Sequence, residues 1–169
     1  MTECALRNAS DDDLGAIREI YNEGVADRIA TLDTDPKSEE DIAHWWSEHD
    51  DTYVVLAAVE RDGTLVGWAS LNRFSHRCAH SKIADLSVYI ARTHRGRGIG
   101  ALLLAELGER AGKAGFHKIT LHALNANERG KRLYMKCGFT EVGVFKEHGM
   151  LDGRYVDVVA MEKLLEGAQ

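Results

Sequence analysis

The hexapeptide Arg95-Gly96-Arg97-Gly98-Ile99-Gly100 interleaves two arginines with three glycines. It follows the apolar run 86–90 and precedes the apolar run 101–107, so the expected order is strand, tight turn, helix start. Such a junction is either a tight strand-to-helix connection or a site for an anion. Glycines let the backbone approach closely, the unpaired N–H groups of the first helical turn point at the ligand, and the helix dipole adds about half a positive charge. Arg92 and His94 extend the positive patch, in a chain whose net charge is −6 and whose pI is about 5.7. A local basic cluster in an acidic protein suits one small polyanion, whereas nucleic acid or an anionic membrane needs a broad positive field, so neither is expected as a partner. The glycines fit neither the G-x-G-x-x-G of a dinucleotide fold nor the G-x-x-x-x-G-K-[ST] of a P-loop.

The elements that must hold this turn follow from apolar periodicity. Residues 4–8 read as a strand, and Ser10 with Asp11, Asp12 and Asp13 opens a helix carrying Leu14, Ile17, Ile20, Tyr21, Gly24 and Val25 at helical spacing. Ser38 caps a second helix to about His49. Its adjacent Trp45 and Trp46 cannot share one face, so one is expected at a pocket or interface. Residues 53–59 and 65–71 form an antiparallel pair about the turn 61–64, and 83–90 is the strand that feeds the glycines. A helix over 98–114, a strand over 117–123, a short helix from Asn127 to Lys136, a strand through Val142 and Val144, and a last strand over 155–161 complete the chain. This pattern predicts an α/β or α+β fold with a mixed, mostly antiparallel sheet of about seven strands and about four helices.

At 169 residues, 44% hydrophobic and 28% charged, one domain over 1–169 with a real core is the expectation. Cys4, Cys78 and Cys137 are odd in number and widely spaced, which fits neither a disulfide framework nor a cysteine zinc site and suits a reducing cytoplasm. His76 and His80 have no carboxylate or cysteine at ligand spacing, so no metal is expected. Residues 1–7 lack a basic segment followed by an apolar one, and no apolar run approaches the ~18 residues of a membrane span, so a soluble, unexported protein is expected.

Read as R-x-x-G-x-G, residues 95–100 resemble the acyl-CoA pyrophosphate loop of the GCN5-related N-acetyltransferase (GNAT) superfamily. With Ala84-Asp85-Leu86-Ser87-Val88-Tyr89-Ile90, the stretch from Asn127 to Tyr134, and Cys137-Gly138-Phe139, the chain is similar to the phosphinothricin and methionine sulfoximine acetyltransferase branch. The resemblance implies acetyl-CoA as cosubstrate, its pantetheine arm along Val88, Tyr89 and Ile90 and beside Asn127, and its pyrophosphate at Arg95, Gly96, Arg97, Gly98, Ile99 and Gly100. Asp85 stands where the family usually has a glutamate linked to removing the amine proton. An ordinary aspartate, with pKa near 3.9, is a feeble base toward an ammonium of about 9 to 10, so burial or a water chain is required. Tyr134 stands where relatives place a Tyr or His facing the CoA sulfur, and a phenol matches a thiolate leaving group in basicity. The loop from Phe74 to His80 resembles the one whose arginine holds a substrate carboxylate; Arg77 is the first candidate, Arg73 the second, and His80 departs from the usual Tyr.

The function implied is transfer of acetyl to the α-amine of a small amino acid or analogue, by direct attack in a ternary complex and with no covalent nucleophile. A homodimer is implied too. A protein N-terminal or lysine acetyltransferase and a non-catalytic acyl-CoA sensor are the alternatives.

Overall fold

Alternating apolar residues build one sheet, and the two faces of that sheet bury against different helices. A computed structural model describes residues 4–165; Met1, Thr2 and Glu3 of the N-terminal reading lie outside the described residues. The strands are β1 (Ala5–Asn8), β2 (Val55–Val59), β3 (Leu65–Arg73), β4 (Ile83–Ile90), β5 (Lys118–Leu124), β6 (Thr140–Leu151) and β7 (Arg154–Leu164). They lie in the order β1-β2-β3-β4-β5-β7-β6. The α-helices are α1 (Leu14–Asp27), α2 (Glu39–Ser47), α3 (Ile99–Lys113) and α4 (Glu128–Lys136).

The period of two in a strand assigns each residue to a face. Leu56, Leu71, Leu86, Ile119 and Leu121 bury with Leu103 and Leu107 of α3. Val55, Ala57 and Trp68 point the other way and bury with Ile17 and Ile20 of α1. The acidic run after Ser10 forms a 3-10 turn (Asp11–Asp13) before α1 rather than its first turn. The reason is local. The Asp13 carboxylate is turned inward onto Arg7 of β1, at 2.6 and 2.8 Å, and also takes the Ser10 N–H at 2.8 Å. The Arg7 guanidinium holds that carboxyl below its ordinary range. At α2 the Ser38 hydroxyl accepts from the Asp41 N–H at 3.1 Å while Asp41 takes the Ser38 N–H at 2.8 Å, a reciprocal cap.

The one large departure from the expected elements is β6. It runs from Thr140 to Leu151, well beyond Val144, because three residues at 146–148 bulge out between the pairs Phe145↔Val158 and Gly149↔Val156. Glu147 sits at φ +50, and Asp157 of β7 fixes the bulge by accepting from the Glu147 N–H at 2.8 Å and pairing with Lys146 at 2.9 Å. A bulge breaks the alternation from which a strand is read. Among the described residues no helix is long and apolar enough to cross a membrane, and no three His, Cys, Asp or Glu side chains are grouped to hold a metal ion.

Candidate active site

β4 and β5 are parallel, and their ladder is short: Ile83↔Lys118, Ala84↔Ile119 and Asp85↔Thr120. Beyond Asp85 the strands diverge, although β4 continues to Ile90 and β5 to Leu124. The other edge of β4 stays paired with β3 as far as Ile90, so only the edge facing β5 is left open over 86–90. An open strand edge presents alternating N–H and C=O groups to whatever extended chain lies along it. The gap so formed has a volume of about 150 Å³, and its lining includes Asp85, Ser87, Val88, His122, Asn127 and Tyr134.

The glycine turn lies just past β4. Gly96 and Gly98 have φ of +83 and +84, conformations that L side chains rarely adopt, and Gly98 is the N-cap of α3. The first bond within α3 runs from the Leu102 N–H to the Gly98 carbonyl at 3.2 Å, which leaves the amides of residues 99–101 without an intrahelical acceptor. The Arg129 guanidinium of α4 lies across Gly96, so close that a Cβ there would meet it at 2.6 Å. A valine at Gly98 is expected to strain this turn by roughly 1–3 kcal/mol, lowering Tm by about 2–10 °C with helix content unchanged by circular dichroism.

Two of the candidate residues at this turn have their side chains engaged within the protein. Arg95 donates to the Ile90 carbonyl at 3.1 Å and to Asp27 at the end of α1 at 2.5 Å, and Arg92 reaches the same carboxylate at 2.7 Å. These guanidinium groups, Arg92 foremost, hold the Asp27 carboxyl below its ordinary range, so their charge is committed to bracing the turn against α1. Ile99, 1% exposed, is a core side chain, and what it presents at the turn is its backbone N–H.

On the α1 face of the sheet a larger cleft of about 850 Å³ is walled by Tyr21, Asp33, Trp45, Trp68, Asn72 and Arg73 among others. Trp45 is the tryptophan that turns to a pocket, while the Trp46 indole N–H donates to Asp11 at 2.6 Å. Tyr21, Tyr89 and Trp68 pack ring on ring, with Trp68 and Tyr89 stacked at 5.0 Å. Asp85, Ser87 and Tyr89 line this cleft and the β4–β5 gap alike. They are alternate residues of one strand, so the two cavities meet across a single row of side chains.

Asp85 is the acid in that row. Burial pushes its pKa up to about 6, against the opposing influence of His122, the Leu86 N–H, Thr120 and Asn72. The Thr120 hydroxyl lies 3.5 Å from Asp85 Oδ1. Asn72, opposite Asp85 on β3, donates to the Ser87 hydroxyl at 3.0 Å and is held by Ser70 at 2.9 Å and His49 at 3.0 Å. Tyr134 comes from α4, and burial, with Tyr89 and Asp85 adding to it, raises its phenol well above the ordinary value. Cys137, partly buried, has its thiol raised by burial, as suits a packed thiol rather than a nucleophile.

The remaining candidates divide. Val88 and Ile90 pack on the α3-side core, so their contribution at the gap is backbone. Asn127 lines the gap and caps α4, accepting from the Gly130 N–H at 2.9 Å. Arg73 lines the larger cleft, its guanidinium 4.9 Å over the Tyr53 ring. Arg77 and Phe74 are exposed and line neither cavity; Phe74 sits edge-on to His80 at 5.0 Å. Of the two arginines, Arg73 lines a cavity and Arg77 lines neither. His122, Asn72 and Ser87 escaped the sequence reading. Their signal is a polar residue at every second position of an otherwise apolar strand, and only strand register shows that they converge on Asp85.

A profile of the acetyltransferase (GNAT) family matches residues 16–139. The chain belongs to this family. It is an acyl-CoA-dependent N-acetyltransferase. Similar proteins include a phosphinothricin N-acetyltransferase of Streptomyces coelicolor, 30% identical over 96% of this chain and 97% of that one. An L-methionine sulfoximine/L-methionine sulfone acetyltransferase of Salmonella typhimurium is 30% identical over 95% of this chain and 94% of its own. Among solved structures, a GNAT superfamily phosphinothricin acetyltransferase from Sinorhizobium meliloti in complex with AcCoA superposes with a TM-score of 0.91 at 31% identity, covering 97% of this chain and 89% of that chain.

Proposed function

We propose that this acetyltransferase moves acetyl from acetyl-CoA to the α-amine of a small amino acid or analogue of the phosphinothricin or methionine sulfoximine type. The observation that carries the reading is the shared wall: Asp85, Ser87 and Tyr89 face both the β4–β5 gap and the larger cleft. The gap takes the acyl arm along the open edge of β4, with Asn127 beside it and the pyrophosphate on the first-turn amides at Gly98, Ile99 and Gly100, near Arg97 and Arg129. The larger cleft takes the amine. Asp85 accepts the ammonium proton, the freed amine attacks the thioester carbonyl directly, and Tyr134 supplies a proton to the departing thiolate, its raised pKa suiting a donor that stays protonated at neutral pH. Arg73 at the cleft wall is the guanidinium for the substrate carboxylate. The relatives named for such acceptors support the choice. The reading also carries a cytoplasmic homodimer, for which the exposed Val142, Phe145, Met150 and Tyr155 of the β6–β7 hairpin supply apolar surface.

Thiol release from acetyl-CoA against free amino acids, phosphinothricin, methionine sulfoximine and their carboxamides tests it. Turnover requires a free α-carboxylate, and Arg73→Ala raises the amine KM about 10-fold or more whereas Arg77→Ala leaves it near the parent value. Turnover of carboxamides as good as that of acids, or a KM effect confined to Arg77→Ala, removes Arg73 from the clamp.

A further inference from the structure

Acetylation of an ammonium releases one proton for each C–N bond formed and C–S bond broken. The amine gives up two protons in all. One ends on the thiolate, and the other, taken first by Asp85, has to reach water before the next turnover. Asp85 lies in a partly buried row of side chains, so the exit is a structural question.

We propose that His122 carries the proton from Asp85 out of the β4–β5 gap to solvent. The inference rests on the acetyl-transfer reading above. Thr120 is the register partner of Asp85, and His122, two residues on, shares its face of β5. His122 lines the same gap as Asp85 and is itself exposed, so it joins the partly buried carboxylate to water. The other neighbours do not serve. Asn72 stands between Asp85 and His49, and an amide neither takes nor yields a proton near neutrality. The Thr120 hydroxyl donates to the Ala84 carbonyl, 3.3 Å away, as well as facing Asp85, and Tyr134 is partly buried against the core. Imidazole is the side chain that both accepts and releases a proton around neutral pH.

His122 acts through Asp85 and is a positioning residue, with no contact to the amine required. Asp85 from β4 and Tyr134 from α4 line the gap with it. On the β6 side Phe145 lies 6.2 Å away ring to ring and is stacked on His148 at 4.5 Å, above the bulge that Asp157 fixes. On the same face of β5 and β7, Lys118 and Glu162 pair with each other at 2.8 Å. Asp85 is thus the carboxylate of this group not already paired with a cation, among the described residues.

The test is His122→Gln and His122→Ala in the full chain. His122→Gln is expected to lower kcat roughly 10-fold at neutral pH with acetyl-CoA affinity unchanged, and added imidazole to restore the kcat of His122→Ala in proportion to its concentration. Parent-like kcat in both variants overturns the proposal. So does a loss that imidazole leaves untouched, or one that tracks weakened acetyl-CoA binding, since either marks His122 as packing. A second readout is the pH profile: the His122 charge opposes the burial that raises the Asp85 carboxyl, so His122→Gln is expected to move the acid limb of kcat/KM to higher pH. An unmoved limb overturns the coupling. Should Asp85→Asn keep parent activity, it is the assignment of Asp85 as base that fails, which the His122 variants alone would not reveal.

Discussion

Asp85→Asn lowers kcat by about 100-fold or more while acetyl-CoA still binds, because an amide fills the same space and cannot take the ammonium proton. The same role predicts a pH signature in the parent enzyme. Burial sets the Asp85 pKa at about 6, so kcat/KM for the amine falls as pH drops through 6 and the carboxylate becomes protonated. The same shift has a sign in stability. A carboxyl whose folded pKa lies above its unfolded value of about 3.9 favours the fold below that pH, and the advantage is lost as pH rises through 6. Asp85→Asn is therefore expected to melt higher than the parent at pH 8 and to lose that lead at pH 4. Calorimetry at the two pH values, beside steady-state kinetics, measures both effects. A variant equal to the parent in kcat, or less stable than it at pH 8, contradicts the assignment.

Leu103→Ala costs about 2–5 kcal/mol and lowers Tm on the order of 10 °C. Leu103 is 0% exposed on α3, enclosed by a core that takes in Leu71, Leu86, Leu107 and Ile119. Truncation leaves a cavity that close-packed strands on one side and the helix on the other cannot collapse to fill. Leu102, the preceding residue on the same helix, is 42% exposed and serves as the control; Leu102→Ala stays within about 0.5 kcal/mol. Chemical denaturation of the pair decides the matter, and equal losses at both positions would refute the assignment of α3 faces.

Much of the architecture was legible because its signals are local. The turn 61–64 closes as read, with the Glu60 N–H on the Thr64 carbonyl at 2.9 Å and Gly63 at φ +88. Gly98 begins α3 where the change of periodicity placed it, and Asn127 caps α4. What stayed hidden depends on distance along the chain. Asp27, which claims Arg92 and Arg95, lies more than sixty residues before them, so no spacing rule near the glycines exposes it. Arg73 and Arg77 are equivalent as charges in a polar segment; one extends β3 into the cleft wall and the other falls in the loop that follows, a difference set by where pairing with β4 begins. His122 needed the register of two strands more than thirty residues apart. The bulge in β6 escaped because the residue that fixes it, Asp157, sits on the partner strand.

The three-rung ladder between β4 and β5 makes the sheet a pair of leaves joined at one end of their shared edge. Past Asp85 no backbone bond sets how far the leaves stand apart. That aperture is held by the wedge of side chains beneath it, where Leu103 and Leu107 of α3 meet Leu86 from one leaf and Ile119 and Leu121 from the other. The distance between Asp85 on β4 and Tyr134 on α4 is thus a property of core volume. Residues that never touch a substrate govern how wide a molecule the junction admits.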